Sequence, residues 1–148
     1  MSFKIEGTKA LIKALGKAGV NMDEAIDEAV KATAVKVLGN ATMAIKAPSM
    51  GTWVTRYTTA GKPYDHIAAK EGESPNTDTG RLIGSITLDH QKGQGVAYVG
   101  TNLEYGFYLE TVLNRPFLEP ARREEMKGFD KKVKKAVNKQ IEKAKAKK

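Results

Sequence analysis

The chain of 148 residues contains no cysteine, only two histidines and no long apolar run. The absence of cysteine excludes disulfides and thiolate metal sites. No apolar stretch approaches the roughly 18 residues of a membrane-spanning helix, so we expect no membrane contact. The first residues, 1–7, lack the apolar region of a secretory signal, which favours a protein made in a reducing cytoplasm. The length is typical of one domain, and we expect residues 1–148 to form a single one.

The two histidines, His66 and His90, each follow an aspartate, Asp65 and Asp89. Adjacent residues on a strand point to opposite faces, so neither pair has the simple geometry of a base and its orienting partner. No metal-ligand spacing or cation-loop pattern accompanies them. We therefore expect no catalytic residue, no metal and no cofactor. A small hydrolase or nuclease is the enzymatic alternative, and it depends on these four residues.

The net charge of +8 is concentrated in one segment. Residues 118–148 hold 12 Lys or Arg and 5 Asp or Glu, whereas residues 1–117 hold 13 and 12. The larger part of the chain is therefore close to neutral. It has no diffuse basic face that would indicate nucleic-acid binding.

Within the basic segment a helix is predicted to begin at Pro120. Its apolar residues recur every four positions and are Phe129, Val133, Val137 and Ile141. This pattern favours a helix docked by one face, with solvated lysines on the other. Direct contact with DNA is the alternative, because the lysines could neutralise phosphates, although no aromatic residues are interleaved with them. The last residues, 142–148, are predicted to fray.

Two helices are predicted before residue 48. The first is a short amphipathic helix over residues 7–19. The second, over residues 21–46, would be capped by Asn21 and stopped by Pro48. Its apolar residues recur at steps of three and four, which keeps one face inward, and most of them are Ala or Val. Whatever packs against this face can approach closely.

Residues 48–78 are rich in Gly, Pro, Ser, Thr and Asn, which predicts a long loop with a short hairpin around residues 53–57. Structureless loops of this length are uncommon inside compact domains and tend to be functional or disordered. This segment is therefore a candidate for ordering on assembly.

The next part of the chain predicts a second hairpin. Residues 85–90 alternate between apolar and polar, a glycine-containing turn follows at 91–95, and residues 96–101 form the return strand. Residues 102–111 predict one or two turns of helix beside the sheet. Strands that are grouped together favour an α+β fold. We expect a long N-terminal helix packed on a small antiparallel sheet, with a basic C-terminal helix.

A spaced set of short motifs lies in the second half of the chain. The motifs are Thr79-Gly80-Arg81-Leu82, Ser85-Ile86, Tyr105 to Glu110, and Arg115-Pro116-Phe117-Leu118-Glu119-Pro120-Ala121. None of them forms a catalytic or metal-binding set. Thr79 predicts a helix-capping hydroxyl and Gly80 a turn, while the proline-flanked stretch predicts an extended segment that anchors one aromatic before a helix. Tyr105 and Phe117 are assigned first to the core, because buried aromatics usually hold a fold together.

This spacing, together with Ile5-Glu6-Gly7 and Lys46-Ala47-Pro48, resembles a family of small tailed-bacteriophage morphogenesis proteins, the head–tail joining or tail-completion proteins of the virion neck. The resemblance implies a structural virion protein and not an enzyme. It implies a location in the neck or tail of the particle, and in the host cytoplasm during assembly. It also implies a homo-oligomeric ring that contacts other neck or tail proteins and makes transient contact with DNA.

The resemblance leads to two sets of contact residues. The expected subunit or partner interface residues are Trp53, Tyr57, Arg115, Phe117 and Pro120. The expected basic patch, facing either DNA or a partner, comprises Lys131, Lys132, Lys134 and Lys135. The alternative function is that of a basic DNA-binding accessory protein that acts through its C-terminal helix.

Overall fold

The computed structural model describes residues 16–17 and 21–146, and residues 21–146 form an α+β fold. Its helices are α1 (Met22–Lys46), α2 (Arg81–Ser85), α3 (Glu104–Thr111), α4 (Leu118–Met126) and α5 (Phe129–Lys145). Its strands are β1 (Thr52–Tyr57), β2 (Pro63–Ala68), β3 (Ile86–Gln91) and β4 (Val96–Thr101). Apart from Gly16 and Lys17, the short helix predicted over residues 7–19 lies outside the described residues.

Helix α1 confirms the long helix predicted over residues 21–46. The Asn21 side chain accepts a hydrogen bond from the backbone N–H of Glu24 at 3.0 Å, which satisfies one of the free amides of the first turn. Most of the buried residues of α1 are small, and they are Ala25, Ala29, Thr33, Ala34, Val37, Ala41 and Ile45. Because these side chains are small, β3, β4, α4 and α5 all pack against one helix.

The predicted antiparallel sheet is present as two separate two-stranded sheets. The hairpin predicted over residues 85–101 is confirmed, with β3 paired to β4 from Ile86 opposite Thr101 to Gln91 opposite Val96. This hairpin packs against α1. The second sheet pairs β1 with β2, from Thr52 opposite Ala68 to Tyr57 opposite Pro63.

The second sheet corrects the prediction of a long loop over residues 48–78. Twelve of these residues form the paired strands β1 and β2, so the expected short hairpin at 53–57 is only part of a longer one. The sequence signal is weak because β1 has no buried residue and β2 is only partly covered, which leaves little alternation of apolar and polar residues to recognise. We call the hairpin formed by β1 and β2 the arm.

Helix α2 begins differently from the prediction. The residue before it is Gly80, which has φ 75° and therefore a left-handed backbone that glycine adopts without strain. The Thr79 hydroxyl accepts a hydrogen bond from the Arg81 amide at 3.4 Å, a long contact from one position further out than a cap. The turn assigned to Gly80 is confirmed, and the capping position assigned to Thr79 is wrong.

The main core lies between α1, α2, β3 and the segment that enters α4. Its buried residues are Val37, Ala41, Ile45, Leu82, Ile86, Phe117 and Ala121. Phe117 is only 1% exposed, which confirms its assignment to the core. Tyr105 is 42% exposed, so its assignment to the core is wrong. The buried position of α3 is instead Gly106, where an added Cβ would lie 2.7 Å from Cγ2 of Thr101.

The basic C-terminal helix predicted from Pro120 is broken at Lys127 and Gly128 into α4 and α5. Helix α5 docks on α1 through a second cluster, in which Ala136 packs with Ala25 and Ala29. Phe129, Val133 and Val137 border this cluster, which supports the docked-face interpretation. The sequence predicts a frayed tail over residues 142–148, whereas α5 continues through Lys145; residues 147 and 148 lie outside the described residues.

Candidate interaction surface

The outer face of the arm carries the most exposed aromatic pair of the expected interface. Trp53 and Tyr57 are both 69% exposed. They lie on the same face of β1 because they are four residues apart, and their cross-strand partners on β2 are Ile67 and Pro63. We call these four residues the arm face. It is an apolar surface that is open to solvent, and surfaces of this kind commonly mark contact sites.

The arm is held to the rest of the molecule by two polar side chains near residue 77. Asn76 donates its side-chain amide to the carbonyl of Ile67 and the hydroxyl of Ser49, both at 2.8 Å. Asp78 accepts from Nη1 of Arg56 and from the hydroxyl of Tyr64, both at 2.9 Å. No helix or other strand among residues 21–146 packs extensively against the arm. The arm therefore projects its outer face away from the core.

Helix α3 provides a second exposed apolar surface that the sequence interpretation missed. Phe107 is 71% exposed, and Tyr108 and Val112 are also largely exposed. We call these three residues the α3 surface. The sequence shows only a glycine among aromatic residues at this point, and the close approach of Gly106 to Thr101, which turns the neighbouring aromatics to other sides of the helix, is visible only in the structure.

Of the remaining expected interface residues, Pro120 is exposed and Arg115 is partly buried. Phe117 does not fit an interface role, because its side chain fills the core. Its local backbone is fixed by Glu110, whose carboxylate accepts from the backbone N–H groups of Phe117, Leu118 and Glu119 at 2.9, 3.1 and 2.9 Å. The spacing between the Glu110 motif and the Arg115–Ala121 motif therefore reflects a structural contact.

The expected basic patch is divided by the structure. Lys131, Lys134 and Lys135 are exposed and lie on one face of α5 at steps of three and four. They form no ion pair within the described residues. Lys132 does not belong to this patch, because its ammonium group pairs with the carboxylate of Glu125.

Glu125 links three helices. Its carboxylate accepts from Lys132 on α5 and, at 2.9 Å, from the side-chain amide of Asn40 on α1. The hydrogen bond from Lys132 lowers the pKa of Glu125, and the nearby Lys36 lowers it further, against the opposing effect of burial. Further along, Lys139 and Lys143 of α5 approach Glu28 and Glu24 of α1 at 3.1 and 3.8 Å. The inner side of the basic helix is thus partly neutralised by α1.

The histidines have partners other than the adjacent aspartates. His90 Nε2 lies 3.0 Å from Oδ1 of Asp27, and His66 Nδ1 lies 3.8 Å from Oδ1 of Asp78. Asp27 also accepts from the amides of Gly93 and Gly95, at 3.1 and 3.3 Å, so it anchors the β3–β4 turn to α1.

The hydrogen bonds to Asp27 explain why its pKa is lowered. Burial raises the pKa of Asp27, but the bonds from His90, Gly93 and Gly95 outweigh burial and keep its pKa below the ordinary value.

In the part of the chain that the structure describes, no three acidic or histidine side chains are grouped so that they could hold a metal ion. Within residues 21–146, no helix is both long enough and apolar enough to cross a membrane.

Comparison with protein-family models, with curated proteins and with solved structures finds no significant match to the chain.

Proposed function

We propose that this protein is a structural component of the tailed-phage neck, where it joins head and tail or completes the tail as a homo-oligomeric ring. The observation that carries the proposal is the arm face, in which Trp53 and Tyr57 are held out on a hairpin away from the core. The motifs between Thr79 and Ala121, which resemble those of neck proteins, favour the phage particle as the place of assembly.

A ring requires two different surfaces that fit each other, because a head-to-tail contact repeats around a closed circle. The arm face and the α3 surface are two unlike apolar surfaces on one chain. A buried Trp or Tyr side chain contributes about 150–250 Å². Stable interfaces bury about 1,200–2,000 Å² in total, so the arm face needs a counterpart of similar character on the next subunit. We propose that the α3 surface is this counterpart.

The first experiment measures the mass of the full chain by size-exclusion chromatography with light scattering over a range of concentrations. We expect an oligomer that Trp53→Thr/Tyr57→Thr converts to a monomer, because threonine keeps the strand propensity and removes the apolar contact. Tyr98→Thr is the matched control, since Tyr98 is an exposed aromatic on β4 outside the arm. A wild-type chain that stays monomeric at high concentration would contradict the proposal.

The phage assignment has its own test. Antibodies against the chain should label the junction of head and tail when phage particles that encode it are viewed by electron microscopy. Mature particles that lack the protein would exclude a structural role in the virion, whatever the oligomeric state.

A second candidate function, DNA binding, is favoured by Lys131, Lys134 and Lys135, which are exposed on the outer face of α5 and form no ion pair with the described residues. Removing one phosphate-binding lysine should reduce the slope of log affinity against log salt by about 0.9 for duplex DNA. Replacing these three lysines by Gln should therefore reduce the slope by about three times 0.9. Lys139→Gln should change the slope little, because Lys139 pairs with Glu28. Equal effects of both variants would argue against a specific DNA-facing surface.

A further inference from the structure

A cavity of about 430 Å³ lies beneath the inner face of the arm. It is bounded by the arm, by residues 75–83 and by α3, with Arg115 on its wall. Much of the wall is apolar and includes Ile45, Leu82, Ile83 and Leu109. Its volume lies within the range of about 300–1,000 Å³ that is typical of sites for small ligands.

The charged groups that line the cavity are mostly cationic. Arg56, Arg81 and Arg115 line it together with His66, whereas Asp78 is the single acidic residue among the described residues of its wall. Asp78 is already engaged by Arg56 and by the hydroxyl of Tyr64. The hydrogen bond to Asp78 raises the pKa of Tyr64, so the tyrosine stays neutral and continues to donate to the carboxylate. Arg81 and Arg115 therefore pair with no carboxylate among the described residues of the wall.

Arg115 brings an uncompensated positive charge to the wall of the cavity. Its Nε atom is buried and has no hydrogen-bond acceptor within the described part of the chain. A guanidinium group cannot lose its proton in a protein, so this donor stays charged and desolvated. Arg81, on the same cavity, forms no ion pair with the described residues. An anion in the cavity would lie beside these two arginines, neither of which is paired with a carboxylate among the described residues.

The geometry points to a binding site for a small carboxylate ligand that carries an apolar group. Guanidinium groups bind carboxylates through paired, charge-assisted hydrogen bonds. The apolar wall would cover the carbon atoms next to the carboxylate, which a phosphate group does not possess. This inference depends on the cavity alone and does not require the proposed location in a phage particle.

The test is an NMR titration of the nitrogen-labelled full chain with hexanoate, which carries the carboxylate and the apolar chain in one small probe. Hexanol carries only the apolar chain and inorganic phosphate only the negative charge, so the two serve as control ligands. We expect hexanoate to shift the amide signals of Gly80 and Leu82 and the Nε–H signal of Arg115, with binding at least about tenfold tighter than that of hexanol or phosphate.

Two variants locate the site. Arg115→Gln should weaken hexanoate binding by about tenfold or more, and Arg81→Gln, at an exposed position that does not endanger folding, should weaken it in the same direction. Arg123→Gln is the matched control, because Arg123 lies on α4 beside Glu119 and outside the cavity. The inference is overturned if hexanol or phosphate binds as tightly as hexanoate, if the shifts lie elsewhere, or if Arg81→Gln has no effect.

Discussion

Glu110 holds the backbone of Phe117 in place, because its Oε2 atom accepts a hydrogen bond from the Phe117 amide at 2.9 Å. The same carboxylate accepts the amides of Leu118 and Glu119, so it occupies the position of a cap at the start of α4. A negative charge is favourable there because the first amides of a helix are otherwise unpaired and the helix dipole is positive at that end. This contact joins α3 to α4 and positions Phe117 for burial.

Glu110→Ala should lower the free energy of unfolding by about 1–3 kcal/mol, because three amides are deprived of their acceptor. Urea unfolding followed by circular dichroism measures the change. Glu124→Ala is the control, since Glu124 is exposed on α4 and pairs only with Lys127 on the surface. If the two variants are destabilised equally, Glu110 does not act as a cap.

Asp27 should make stability depend on pH only in the acid range. Its pKa in the folded protein is lower than the ordinary 3.8, so the folded state holds the charged form more strongly than the unfolded state does. The resulting stabilisation is fully present above the unfolded pKa of about 4 and is lost as pH falls through the folded pKa. Between pH 5 and 7 (about one unit or more above that pKa) Asp27 should contribute no slope.

Urea unfolding of Asp27→Asn across the acid range measures this effect. The variant should show a smaller decrease in stability below about pH 4 than the wild-type chain. Asp89→Asn provides the control, because Asp89 is an exposed aspartate on the same hairpin that Asp27 anchors. An identical pH profile for wild type and Asp27→Asn would show that the bonds to Gly93, Gly95 and His90 do not stabilise the charged form.

Two helical glycines should respond in opposite directions to alanine. At Gly106 an added Cβ would lie 2.7 Å from Thr101 and 3.2 Å from Leu82, so Gly106→Ala should destabilise the protein by about 1–3 kcal/mol. At Gly39, on α1, no atom lies within 4 Å of the added Cβ, and alanine should stabilise by about 0.5–1 kcal/mol through its higher helix propensity. Thermal unfolding distinguishes the two outcomes. A stabilising Gly106→Ala would mean that α3 and β4 can separate without cost.

Substitutions of the buried Phe117 and the exposed Phe107 should have very different effects on the free energy of unfolding. Phe117→Ala should cost about 3–5 kcal/mol, because it empties a position in the centre of the core. Phe107→Ala should change monomer stability by less than about 0.5 kcal/mol, because the side chain is exposed. Chemical denaturation gives both values. A large destabilisation by Phe107→Ala would place this side chain in a contact that the fold of the single chain requires.

The helices and the β3–β4 hairpin could be predicted because their side chains follow the period of the element that buries them. The stripe of α1 has a residue facing the core at nearly every turn, and β3 alternates between Ile86, Leu88 and the polar residues between them. The helical period alone does not predict the break at Lys127 and Gly128, because the break accompanies the contact of Glu125 with Asn40, which lies 85 positions away in the sequence.

The candidate surfaces were only partly predictable. Trp53 and Tyr57 stand out as aromatics in a segment rich in turn residues, and the structure leaves them exposed. Tyr105 and Phe117 carry the same apolar signal in the sequence, yet one is exposed and the other is buried. The difference comes from Gly106 and Glu110, whose contacts set the direction of the backbone, and composition alone does not reveal such contacts.

The attachment of the arm through Asn76 and Asp78 has a consequence for how the protein can change over time. Substitutions on the outer side of the hairpin leave the central hydrophobic cluster untouched and should have little effect on folding. On the proposed role of the arm face in subunit contact, contact preference and folding can diverge separately, and one scaffold can acquire new contact preferences by exchanging a single hairpin.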